Sequence, residues 1–166
     1  MKRQLILLGA MVTLLVGCQQ APKIIIASSG PQIDDLNKNM AAYASGDWAT
    51  YRSAFADTAK IFLNTMQLDA DSLVRYQQAR RAYYDKVETS SEAIEYIKYD
   101  NGDEWTHWWG RLKLTIKGTG RTVEIPIHLA GHLVGGKTVE QYAYFNALEI
   151  SEAIKESMTP TSASTK

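Results

Sequence analysis

A second cysteine is missing from this chain. Cys18 is the only one in 166 residues, so no disulfide framework exists and the folded body must hold together by its core alone. An excess of one charge is missing as well, because 18 Lys and Arg face 18 Asp and Glu. No basic patch or charge run stands out, which argues against nucleic acid as a partner. No segment repeats at a fixed period. A glycine-rich phosphate loop and a nucleophile-elbow pattern are both absent. Histidine occurs at His107, His128 and His132 alone, with no carboxylate or cysteine at ligand spacing, so neither a metal nor a cofactor is expected. A location and a fold class are legible in what remains; a reaction is not.

What is present begins with a processing signal. Met1-Lys2-Arg3 is a basic start, and Leu5 to Val16 is an apolar run too short to span a bilayer comfortably. It ends in Leu15-Val16-Gly17-Cys18, which resembles the bacterial lipobox. That resemblance implies removal of residues 1–17 as a lipoprotein signal peptide and acylation of Cys18. Two or more acyl chains there would hold the protein durably on a membrane. Gln19 stands after Cys18 where an Asp does not, a pattern similar to outer-membrane sorting in Gram-negative bacteria. The expected location is therefore the bacterial cell envelope, lipid-anchored. Residues 18–32 read as a tether, although Ile24-Ile25-Ile26 would also suit an edge strand.

A single domain is expected over 33–156. Ile33, Leu36, Met40 and Tyr43 form one stripe of a helix over Asp34–Ser45, stopped by Gly46. Asp47 can cap a second helix, Trp48–Ala56. Lys60–Asn64 is a short strand candidate. Asp69 or Asp71 caps a third helix to about Val87, with Leu73, Tyr76, Arg80, Tyr83 and Val87 on its stripe. Arg80 there is either a snorkelling side chain at the core edge or a buried anion-binding arginine. Ala93–Tyr99 alternates as a strand and ends at the turn Asp100-Asn101-Gly102-Asp103. Three long runs follow, Glu104–Lys117, Arg121–Val134 and Lys137–Ala147, separated by Gly118-Thr119-Gly120 and Gly135-Gly136. They read as an antiparallel meander. Ser151–Glu156 is a short helical end, and 157–166 is expected to be a disordered tail.

Register follows from pairing apolar with apolar. A Thr119-Gly120 tip sets Ile116, Leu114 and Leu112 opposite Val123, Ile125 and Ile127, and Trp108 opposite Gly131. A Gly135-Gly136 tip then sets Tyr142, Tyr144 and Asn146 beside Leu129, Ile127 and Ile125. The face holding these residues should be covered by the helices. The other face carries Trp105, His107, Trp109, His128, His132 and Phe145, an aromatic patch that a self-associating surface explains.

The segment wording adds a resemblance. Met40-Ala41-Ala42-Tyr43-Ala44-Ser45-Gly46-Asp47-Trp48 and Phe55-Ala56-Asp57-Thr58-Ala59 resemble the opening of the nuclear transport factor 2-like superfamily. Gly136-Lys137-Thr138-Val139-Glu140-Gln141-Tyr142 resembles its closing hairpin. SnoaL-like polyketide cyclases and ketosteroid isomerases belong to this group. The resemblance implies an α+β fold, a curved antiparallel sheet wrapped by three N-terminal helices into a cone of the cystatin-like class. It also implies an apolar pocket, here Asn39, Tyr43, Phe55, Leu63, Tyr83, Trp108, Leu112, Leu129, Tyr142, Tyr144 and Asn146. A homodimer through Trp105, His107, Trp109, His132 and Phe145 is implied too.

The acids of the family's enzymes do not carry over. The isomerase Tyr falls on Asn39, the general base on Leu63, and the late Asp on His128 or Leu129. The last-strand acid of the cyclases falls on Ala143. Leu63 cannot take a proton, so a non-catalytic binder of a small apolar ligand is expected. The alternatives are an isomerase, cyclase or dehydratase with a rewired site, for which His128 is the one catalytic candidate, and a dimerising interaction lipoprotein.

Overall fold

The protein is described here by a computed structural model that covers residues 23–159. The signal segment, Cys18 and residues 160–166 lie outside the described residues. The elements in chain order are β1 (Ile25–Ala27), α1 (Pro31–Ser45), α2 (Trp48–Ser53), β2 (Phe55–Leu63), β3 (Met66–Asp69) and α3 (Ala70–Arg81). Then come β4 (Tyr84–Lys98), β5 (Glu104–Ile116), β6 (Thr122–Val134), β7 (Lys137–Phe145) and α4 (Ala147–Met158). One curved seven-stranded sheet runs β1-β4-β5-β6-β7-β2-β3. Its class is α+β, as expected, but the sheet is mixed, because β2 pairs parallel to β7.

Local chemistry sets the helix ends. Pro31 opens α1, where a missing N–H costs nothing, and Gly46 closes it at φ 79, its N–H bonding Ala42 and Tyr43 carbonyls. Asp47 accepts from the Thr50 N–H to cap α2, Asp69 from Ser72 to cap α3, and Asn146 from Leu148 to cap α4. Several boundaries differ from those read in the sequence. Phe55 starts β2 instead of ending α2, and α3 stops at Arg81 because Tyr84 already pairs with Ile116 in β4. Ile25–Ala27 is an edge strand on β4 and not tether. Asn64, at φ 53, turns the chain into the short strand β3. A fourth helix, α4, covers the sheet through Ile150, Ala153 and Ile154.

Register holds the main correction. Leu112 pairs with Ile125 and Leu114 with Val123, two residues away from the expected offset. The turn is longer than a two-residue tip, since the Ile116 N–H bonds the Arg121 carbonyl and Lys117–Gly120 all lie in the loop. A shift of two keeps every side chain on its face. β7 behaves differently. Leu133 pairs with Thr138 but His132 pairs with Glu140, so Val139 is an extra residue, a β-bulge. Beyond it the pairs are Ala130–Tyr142, His128–Tyr144 and Ile127–Phe145. One inserted residue sends Tyr142 and Tyr144 to the outer face and Gln141 and Phe145 to the inner one.

Two core clusters flank the interior. One joins β4, β5 and β6 to α4 around Leu114, Ile116, Val123 and Ile125. The other joins α1, α2 and α3 to β2 around Tyr51, Ile61 and Leu73. Tyr43 and Phe145 touch both. Trp108, 2% exposed, lies over Gly110, where a Cβ would collide with its indole and with the Ser90 carbonyl. Gly110 is thus the slot that lets the ring lie flat on the inner face.

Candidate functional site

The space between the two clusters is the interior of a cone. It divides into an inner chamber of about 70 Å³ and a larger one of about 240 Å³. Leu36, Asn39, Leu129 and Gln141 line both, so the chambers adjoin at these four residues. The larger chamber is polar in part, with Asp35, Lys38, Thr106, Lys137 and Thr138 in its wall. The inner chamber is walled by Met40, Leu63, Leu112, Leu114, Ile127 and Phe145, with tyrosines and Arg80 on one side.

Among the described residues no Asp, Glu or His lines the inner chamber. Its polar groups are Asn39, Tyr43, Tyr51, Tyr76, Gln77, Arg80, Tyr84 and Gln141. Asn39 donates from Nδ2 to the Tyr51 carbonyl at 2.9 Å, which ties α1 to α2. Burial pushes the Tyr43 hydroxyl well above its ordinary range, helped by Tyr84 and opposed by Arg80 and Arg81. Burial likewise pushes Tyr51 up. Both phenols stay protonated at neutral pH and are donors, not bases. Arg80 donates from Nη2 to the Tyr84 hydroxyl at 3.1 Å, and its guanidinium carbon sits 5.6 Å from the centre of the Tyr76 ring. Burial opposes its charge, but the Tyr84 and Tyr76 oxygens outweigh burial and keep its pKa raised. Leu63, where the isomerase base would fall, is in the wall of this chamber and offers no titratable group.

The outer face of the same sheet is organised around rings. Trp105 stacks on His132 at 4.9 Å, Trp109 on His128 at 4.7 Å, and Phe62 on Tyr142 at 4.9 Å. His107 lies 5.3 Å from Trp109, and Tyr144 joins Tyr142 and His128, each at 6.5 Å. Eight side chains from β2, β5, β6 and β7 make one ladder of near-parallel rings. Within it His107 Nδ1 and His128 Nε2 are 3.2 Å apart and share one hydrogen bond. Burial lowers both imidazoles; Glu95 partly offsets it for His107, and His107 adds to it for His128. Both rings are neutral at pH 7.

Of the pocket residues read from the sequence, Asn39, Tyr43, Leu63, Leu112 and Leu129 line the chambers. The others are placed elsewhere. Tyr142 and Tyr144 are on the outer ladder because of the Val139 bulge. Asn146 is exposed and caps α4. Tyr83 is 40% exposed, since α3 ends before it and Tyr84 takes the inward position. Trp108 and Phe55 are buried as filling, not lining. On the outer face Trp105, His107, Trp109 and His132 gather as read, whereas Phe145 turns inward and lines the inner chamber. His128 also faces outward, away from the chambers, so it cannot serve as a base there. Lining residues missed include the polar Tyr51, Tyr76, Gln77, Tyr84 and Gln141 and the apolar Leu36, Met40 and Ile127. Tyr76 stood on the third helix's stripe, one turn from Arg80, and so was findable; Gln141 was hidden by the bulge.

A curved mixed sheet wrapped by helices around a cavity defines the α+β cone class. Solved structures place the chain more narrowly, in the nuclear transport factor 2-like fold. A nuclear transport factor 2-like protein of unknown function from Burkholderia pseudomallei superposes with a TM-score of 0.63 at 12% identity, over 76% of this chain and 98% of that one. A nuclear transport factor 2-like protein from Burkholderia thailandensis gives 0.60 at 20% identity, over 76% and 98%. A candidate SnoaL-like polyketide cyclase from a Jannaschia species gives 0.61 at 13% identity, over 81% and 99%. No protein-family model and no curated protein matches the chain.

Proposed function

We propose that this protein is a lipid-anchored component of the bacterial cell envelope that binds a small, largely apolar molecule in its cone without transforming it. The observation that carries the reading is the inner chamber, apolar and aromatic in its walls and, among the described residues, without a carboxylate or imidazole; Asp35, in the wall of the larger chamber, is exposed. A proton-transfer enzyme needs a titratable base within hydrogen-bond reach of its substrate. A binding protein needs an apolar cavity with a few polar anchors, which is what the two chambers offer. The anchor rests on the lipobox-like Leu15-Val16-Gly17-Cys18.

Native mass spectrometry of the full chain carrying Cys18→Ser tests the binding reading: a retained small molecule is expected. Loss of all apolar probe binding, including 1-octanol, would overturn it. For the anchor, labelling of the expressing cell with radioactive palmitate should mark the wild type and not Cys18→Ser; a labelled variant would refute it.

The outer ladder favours one further reading, a homodimer through this face. Trp105, Trp109 and Tyr142 are only partly buried within one chain, and Tyr144 is 53% exposed. The rim holds both charge signs, with Arg111 between Glu92 and Glu124, which suits a second copy better than a partner of one charge. Trp109→Ala should weaken the dimer about tenfold or more in sedimentation, as removal of a central aromatic anchor does. A wild type that stays monomeric at high concentration would exclude this reading.

A further inference from the structure

Among the described residues Arg80 is the cation that lines the inner chamber, and its fork is only partly used. Its neighbours on the α3 stripe, Leu73 and Tyr76, are ordinary core choices, and a Leu or Met at 80 would close the wall at no electrostatic cost. A guanidinium instead lies partly buried there. Among the described residues no carboxylate reaches ion-pair distance of it. Five N–H donors are available on a guanidinium. The described residues accept one, through the Tyr84 hydroxyl. Yet no fully buried side-chain polar atom among them lacks a partner, so the remaining donors reach open space and not apolar protein. The next residue, Arg81, is also cationic and donates to the Tyr84 carbonyl at 2.6 Å.

Arg80 is also held in place. The Tyr84 hydroxyl fixes one end of the fork and the Tyr76 ring lies against the guanidinium. A cation that is already positioned loses little freedom when it binds an anion. A second donor stands on the same wall. The Tyr43 hydroxyl makes no hydrogen bond to the described residues and lines the chamber. Leu63, Leu112, Ile127 and Phe145 line the same chamber.

We propose that the ligand of the cone is an amphipathic carboxylic acid, bound with its carboxylate on Arg80 and its apolar body along the chamber walls. The Arg80 fork gives two parallel N–H donors to one carboxylate, the geometry that favours it over a point cation. Tyr43 adds a third donor. The small inner chamber holds the head, and the body passes Leu36 and Leu129 toward the apolar part of the larger chamber's wall, Ala54 and Leu133. This assignment rests on the cone-ligand reading above and goes further by naming the chemical class.

The test compares octanoate with octanamide, its neutral isostere, and with octyl phosphate, by titration calorimetry on the full chain carrying Cys18→Ser. Octanoate should bind at least about tenfold tighter than octanamide, as a charge-assisted hydrogen bond implies. Arg80→Gln should abolish that preference by weakening octanoate at least about tenfold more than it weakens octanamide. Should Arg80→Gln fold poorly, Arg80→Lys keeps the charge, loses the fork and should retain only part of the preference. Equal binding of octanoate and octanamide to the wild type would overturn the proposal and leave the apolar-ligand reading standing. So would a preference that survives Arg80→Gln. Tighter binding of octyl phosphate than octanoate would overturn the carboxylate assignment in favour of a phosphate head. If no probe binds, both this proposal and the cone-ligand reading fall.

Discussion

The two faces of β5, β6 and β7 are built from alternate residues of the same strands, and they solve different problems. The inner face, from Leu112, Leu114, Ile125 and Ile127 to Phe145, gives its apolar surface to two helix-backed clusters and the cavity between them. The outer face packs its rings on each other, as a ladder of tryptophans, histidines and tyrosines. The inner face therefore carries fold stability and the cavity. The outer face packs ring on ring and leaves those rings partly exposed. What separates them in β7 is one residue, Val139.

The largest expected effect on the inner face is at Gly110. Gly110→Ala should cost roughly 3 kcal/mol or more, or prevent folding, because the new Cβ collides with the Ser90 backbone and the Trp108 indole. Urea denaturation measures this, and a loss under about 1 kcal/mol would mean that Trp108 is free to move aside.

A paired substitution across the bulge sharpens the contrast. Phe145→Ala should destabilise by about 2–3 kcal/mol, since the ring reaches both core clusters. Tyr144→Ala, one residue earlier and 53% exposed, should cost less than about 1 kcal/mol in the monomer. An unbulged β7 predicts the reverse order, so the two melting curves decide the register.

The smallest effect is acid sensitivity confined to the outer face. His107 and His128 have pKa values below the ordinary 6.5, chiefly through burial. Below that value the unfolded chain binds more protons than the folded one, so stability falls as pH drops through and below 6.5 and is unaffected above it. Solvent exposure limits the effect to under about 1 kcal/mol. The melting temperature should fall between pH 7.5 and 5.5, and His107→Gln with His128→Gln should flatten that fall. An unchanged slope would place the acid sensitivity elsewhere.

The fold was legible where its signals are redundant. Leu112, Leu114 and Ile116 alternate against Val123 and Ile125, so even an offset of two leaves each on its correct face. Asp47 and Gly46 mark a cap and a stop by chemistry that does not depend on tertiary context. The site was legible in part. Tyr43 and Arg80 sit on helix stripes whose period survives folding, and Asn39 was reached through the family resemblance. Tyr142, Tyr144, Gln141 and Phe145 were exchanged between faces because Thr138-Val139-Glu140 carries no glycine or proline to announce a bulge. That bulge arises from how β7 meets β6 and β2 together, a three-strand fit that no single strand encodes.

The ends of the sheet order bear on how copies could join. β1 is 3 residues long and β3 is 4, and these two stand at the margins. Where β1 stops, the free border of β4 is broken by irregularities at Tyr84/Lys86 and Ser91/Ala93 and carries Asp85, Lys86, Glu88 and Glu92. Short, bulged and charged borders are poor templates for an incoming strand. Lateral growth into fibrils is therefore discouraged on both sides, and a second copy that joins this sheet would do so broadside, ring against ring.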